Sequence, residues 1–138
     1  MVLCVLCAPL SSIFIETSLM ENNEFRSLLQ SVILHWQQSA KAYAEYMEKG
    51  KKFRYAEILK VHNIAAKNLL TDNMTVIPDN LKKDAEAIIE HYTIWSAKWD
   101  DLKSKLNPAR DDEFVFENDH RFPKAAAQKL EATFRELS

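Results

Sequence analysis

The chain has 138 residues, 47% of them hydrophobic, and 18 Lys and Arg against 20 Asp and Glu give a formal net charge of -2. That is long enough to bury one core without disulfide or metal staples, and too balanced to carry the basic field that draws proteins to nucleic acid or anionic membranes. A single glycine, Gly50, excludes the glycine-rich loops that cradle phosphates, which need backbone at positive φ lying close to the ligand.

The expected fold is all-α, an antiparallel bundle of about four helices forming one domain over residues 20–138, with residues 1–19 set apart as an arm or leader. The opening stretch MVLCVLCAPLSSIFIETSL is apolar, has no Lys or Arg, and breaks its continuous apolar run near Pro9. A secretory signal starts with positive charge, and a membrane span needs roughly 20 apolar residues; neither pattern is met. Two readings stand: an irregular or strand-like arm, or translated sequence ahead of a natural start at Met20, as in compact genes of mobile cassettes. Against the second, Ser18 and Glu21 are spaced as a capping box. Cys4 and Cys7 are the only cysteines, too few for a disulfide framework and lacking the second pair a structural zinc would need. They read as small apolar residues in a reducing, cytoplasmic protein.

Helix one is expected over Glu21 to Lys49, with Phe25, Leu29, Val32, Trp36, Ala40, Tyr43 and Met47 recurring at three and four residues on one face. Gly50 ends it. Helix two should run from about Phe53 to Leu70. On its wheel, His62 falls within the apolar sector of Tyr55, Ile58, Leu59, Ala65, Ala66 and Leu69, with Lys60, Asn63 and Lys67 opposite. Small Ala65 and Ala66 leave room beside the imidazole. Helix three carries the cleanest heptad, Leu81, Ala85, Ile88, Tyr92, Trp95, Trp99, Leu102 and Leu106. Asp79 or Asn80 is placed to cap it, Lys103 and Lys105 suit its negative end, and Asn107-Pro108 stops it.

The connection ARDDEFVFENDHRF alternates Phe114 and Phe116 with acidic neighbours in a strand-like pattern. It is expected to pack across the bundle end or to pair with the apolar N-terminal segment. Pro123 then suits the first position of a short last helix with Ala127, Leu130, Phe134 and Leu137 inward.

The stretch RYAEILKVHNIAAKNLL resembles the helical core of the HEPN superfamily, some of whose members are RNases with an Arg and a His as catalytic pair. Seven residues separate Arg54 from His62, a wider spacing than that motif has, so the resemblance carries no catalytic residue across. Leu59, Ile88 and Val32 stand where a di-iron bundle would place a glutamate before His62, His91 and His35. No H-E-x-x-H, G-x-S-x-G or calcium-loop pattern is present. Neither a metal nor a cofactor is expected, and the reading leans away from an enzyme.

Two functions fit this pattern, the first favoured and the second its alternative. The first is a noncatalytic, self-associating interaction or regulatory module, with Val61, Ile64, Ile89 and Ile94 as extra apolar surface. In that reading the basic turn Lys49, Lys51, Lys52 and Arg54 meets the acidic connection, Asp111, Asp112 and Glu113 with Phe114 and Phe116, across subunits; the bland reading of each is a solvated turn. The second is a binder of a small apolar or aromatic molecule, or an enzyme, with an inter-helix pocket formed by His62, Trp36, Tyr43, Tyr55, Tyr92, Trp95 and Trp99. Its bland counterpart is an aromatic core with a satisfied histidine.

Overall fold

The computed structural model describes the backbone of residues 2–138 and the side chains of Met20 and residues 22–138. These form four helices: α1 (Val2–Glu48), α2 (Phe53–Asp72), α3 (Asp79–Leu106) and α4 (Lys124–Leu137), with a 3-10 turn at Met74–Val76. The backbone read as an irregular or strand-like arm is helical and belongs to α1. A helix satisfies its own backbone hydrogen bonds, whereas a strand there would need a partner edge, and no glycine interrupts the run before Gly50. Cys4, Cys7 and the Ser18–Glu21 box lie outside the described side chains.

Each helix touches its neighbours in a closed ring, α1 on α2, α2 on α3, α3 on α4 and α4 back on α1. Gly50 (φ +84°) and Lys51 (φ +54°) reverse the chain between α1 and α2. There the Lys51 N–H returns to the Tyr46 carbonyl at 2.7 Å. At the far end of α3, Asn107 takes the left-handed conformation (φ +43°) and donates its N–H to the Lys103 carbonyl, the C-terminal closure that asparagine tolerates best after glycine. Pro78 and Pro123 occupy the positions before α3 and α4. Asp79 therefore opens α3 instead of capping it, and α4 begins one residue after its proline.

The core falls into two clusters. One gathers Phe25, Leu29 and Val32 of α1 with Leu70, Leu81, Ile88 and Leu130. The other gathers Tyr46, Phe53, Ala56, Trp95 and Trp99 around Phe114 from the connection. Phe114 is fully buried, with its ring 5.2 Å from those of both Phe53 and Trp99.

The connection packs against the bundle and finds its strand partner in the α1–α2 turn, through an antiparallel bridge between Lys52 and Glu113. The first N–H groups of any helix lack intrahelical acceptors. Here the Phe53 N–H donates to the Asp112 carbonyl at 2.8 Å and the Arg54 N–H to the Arg110 carbonyl at 2.9 Å, while the Phe114 N–H donates back to Lys51. The connection is thus the N-terminal cap of α2, made from backbone where no side-chain cap exists. Arg54 pairs with Asp111 at 2.6 Å within the same chain, so this basic-to-acidic contact closes internally.

Candidate functional site

The ring of helices is uneven. With 28 residues in α3 and 14 in α4, a rise of 1.5 Å per residue makes them about 42 and about 21 Å long. Beyond the reach of α4, the flank between α1 and α3 is covered by irregular chain carrying Phe116, Asn118 and Phe122. Small side chains at Ser39, Ala40, Ala56 and Ala127 leave the space beneath incompletely filled. The result is a partly open pocket of about 650 Å³ joining the two core clusters, within the range of sites that hold small organic molecules.

Five of the seven residues expected to line such a pocket do so: Trp36, Tyr43, Tyr92, Trp95 and Trp99. All three tryptophans of the chain are among them. Tyr43 contributes from the rim and is 52% exposed. Tyr55 lies elsewhere, with the Lys49 ammonium 5.3 Å from its ring centre. His62 also lies outside. The buried stripe of α2 is Phe53, Ala56, Asn63, Ala66 and Leu70, rotated by about one residue from the expected sector. Asn63, expected to face water, is 6% exposed, while Ile58 and Val61 point outward. The rotation follows the cap: anchoring Phe53 under the connection fixes the register, and Ala56, Asn63, Ala66 and Leu70, spaced from it at helical intervals, turn inward. In α1 the buried face is also displaced from the expected one: Ala42 and Tyr46 are buried and Met47 is exposed.

The polar groups of the pocket are therefore different from those expected. The Ser39 hydroxyl donates to Asn63 Oδ1 at 2.6 Å, tying α1 to α2. His91, expected at a boundary, is 4% exposed and supplies the pocket imidazole. Its ring stacks on His120 of the connection at 5.4 Å and meets Phe122 edge-on. Burial, and secondarily His120, holds His91 below the ordinary imidazole value, with the Arg121 backbone pulling the other way. Burial raises the Tyr92 hydroxyl well above the usual phenol range; Trp36 lies near enough to offset part of this, although its Nε1 completes no hydrogen bond. His91 Nδ1 and Trp99 Nε1 are likewise enclosed without a partner. Glu131 and Lys124 stand at the α4 edge. Spacing did hold a signal for His91, three residues after Ile88 and four before Trp95.

Tyr46 serves the structure more than the pocket. Its hydroxyl donates to the Phe114 carbonyl at 2.5 Å and accepts the Phe116 N–H at 3.1 Å, clamping the connection at the residues that cover the site. Burial, first among its causes, lifts its pKa.

Of the interaction candidates, Lys52, Arg54, Asp112, Glu113 and Phe114 build the α2 cap and the second core cluster. Phe116 packs edge-on against Trp95 at 5.6 Å. Lys49 and Lys51 belong to the turn. His62 instead meets His35, their Nδ1 atoms 3.0 Å apart.

No group of three or more His, Cys, Asp or Glu among the described residues is placed to hold a metal ion. Nor is any helix, among the described residues, long and apolar enough to cross a membrane. Compared with known proteins, the chain matches no protein-family model, no curated protein and no solved structure.

Proposed function

We propose that this protein binds a small aromatic or apolar organic molecule in the pocket between α1, α3 and the connection, without catalysing its conversion. The observation that carries this reading is the pocket itself: a partly open cleft of about 650 Å³ walled by Trp36, Trp95, Trp99 and Tyr92, a size that suits a small organic molecule. A few polar groups converge on an apolar wall, which is the usual composition of a small-molecule site. A ligand acceptor brought near by a small ring rotation would also satisfy one of the enclosed nitrogens, each of which otherwise costs about 1–3 kcal/mol. The Ser39 hydroxyl donates to the Asn63 amide oxygen and not to a base, and so serves as a tie between α1 and α2 and not as an activated nucleophile.

The three tryptophans provide the assay. Titration with the aromatic probe 8-anilinonaphthalene-1-sulfonate is expected to change the intrinsic fluorescence saturably, with a single site per chain. Ala40 is exposed yet lines the pocket, so Ala40→Phe should fill space without disturbing the core and weaken probe binding. Probe binding indifferent to Ala40→Phe would remove the basis for this site.

A second reading, self-association, draws on Leu34 and Val61, which are 54% and 63% exposed on neighbouring helices. Surface apolar residues occur singly in many monomers, so this reading ranks behind the pocket. It predicts a dimer or larger species by light scattering that Val61→Glu dissociates; a monomer at high concentration would exclude it.

A further inference from the structure

We propose that His35 and His62 form a two-imidazole site for a divalent transition-metal ion, with copper(II) the preferred occupant. The site is separate from the pocket and does not depend on it.

The Nδ1 atoms, one from α1 and one from α2, lie 3.0 Å apart, with ring centres at 5.3 Å and planes tilted by 38°. Metal–imidazole bonds are about 2.0–2.1 Å long, so two nitrogens cis to each other on a tetragonal ion stand about 2.9 Å apart, and on a tetrahedral ion about 3.4 Å. The observed separation is close to the first. Small ring rotations would turn both lone pairs from each other toward a shared ion. Tetragonal nitrogen coordination is the preference of copper(II), which also heads the affinity order for such ligands.

Three further features suit the site to a metal. Burial and then His35 hold His62 below its ordinary imidazole value, which favours the neutral, ligating form around neutrality. Both rings are only partly buried, so water can complete the coordination. The donors are fixed on adjacent helices tied together by the Ser39–Asn63 hydrogen bond one turn away. Without a metal, the same contact is an N–H···N hydrogen bond in which the accepting ring must be neutral.

The test is a titration of the full chain with copper(II) sulfate at matched concentrations, read by electron paramagnetic resonance. Cys4→Ser and Cys7→Ser are introduced together so that thiols neither bind nor reduce the metal. The expected result is one copper per chain with a two-nitrogen tetragonal signature. His35→Ala and His62→Ala should each abolish that signature, while His120→Ala, whose ring stacks on His91, leaves it intact. Circular dichroism of each variant confirms that the helices persist. Absence of bound copper in the parent protein would overturn the proposal, as would a spectrum unchanged in both His35→Ala and His62→Ala.

Discussion

Tyr46 shows how one hydroxyl governs the cover of a site. It both donates to and accepts from the connection, at Phe114 and Phe116. Tyr46→Phe keeps the ring and removes both bonds, leaving a carbonyl and an N–H to find other partners, at a cost of about 1–3 kcal/mol in urea unfolding. Amide exchange at Phe116 should quicken in parallel; unchanged protection there would show that packing alone holds the connection. His91 makes a different claim. Its folded pKa is depressed, with 6.5 as the ordinary value, so below that pH the unfolded chain takes up a proton that the folded chain resists. The stability attributable to neutral His91 is whole above pH 6.5 and is lost progressively as pH falls below it. His91→Gln should flatten the dependence of the urea midpoint between neutral and mildly acidic pH, with His62 supplying a residual slope of the same sign. An unaltered pH dependence would contradict the burial assigned to His91. At this scale the sequence was partly legible: the aromatic residues of α3 were placed correctly, but Asn63 is buried where water was expected and His62 is only partly buried. Periodicity gives spacing accurately and phase poorly, and one residue of phase is 100° of rotation.

At the scale of elements, the four-helix pattern could be read from heptads, from Gly50 and from Asn107-Pro108, because these signals act locally. The role of the connection was not legible. Its alternation of Phe114 and Phe116 marked it as ordered, but capping the orphan N–H groups of α2 with backbone carbonyls leaves no side-chain signature. Without knowing that anchor, the phase of α2 could not be fixed. Phe114, fully buried between Phe53 and Trp99, is the side chain that holds the cap in place. Phe114→Ala is expected to destabilise the protein by about 3–5 kcal/mol and to change the tryptophan emission, since Trp99 loses its ring neighbour. A loss near that of an exposed substitution would mean that the connection is dispensable to the fold. Arg54→Ala, in contrast, removes only a half-exposed ion pair to Asp111, worth about 1 kcal/mol or less.

For the whole molecule, the pocket is a consequence of unequal lengths. A bundle whose fourth helix is half as long as its third must cover the remaining flank with irregular chain, and irregular chain fills space less regularly than a helix. Sequence reasoning found the aromatic wall because those residues share helical faces. It missed that Ser39, Ala40, Ala56 and Ala127, not Ala65 and Ala66, create the room, since volume depends on which faces meet. The measurement that tests the binding account most directly is native mass spectrometry of gently purified protein, compared with the same sample after denaturation. The account predicts an additional organic mass on the native chain, absent after denaturation and reduced in Ala40→Phe protein. Native and denatured masses that both equal the bare chain, together with no saturable uptake of 8-anilinonaphthalene-1-sulfonate, would contradict it.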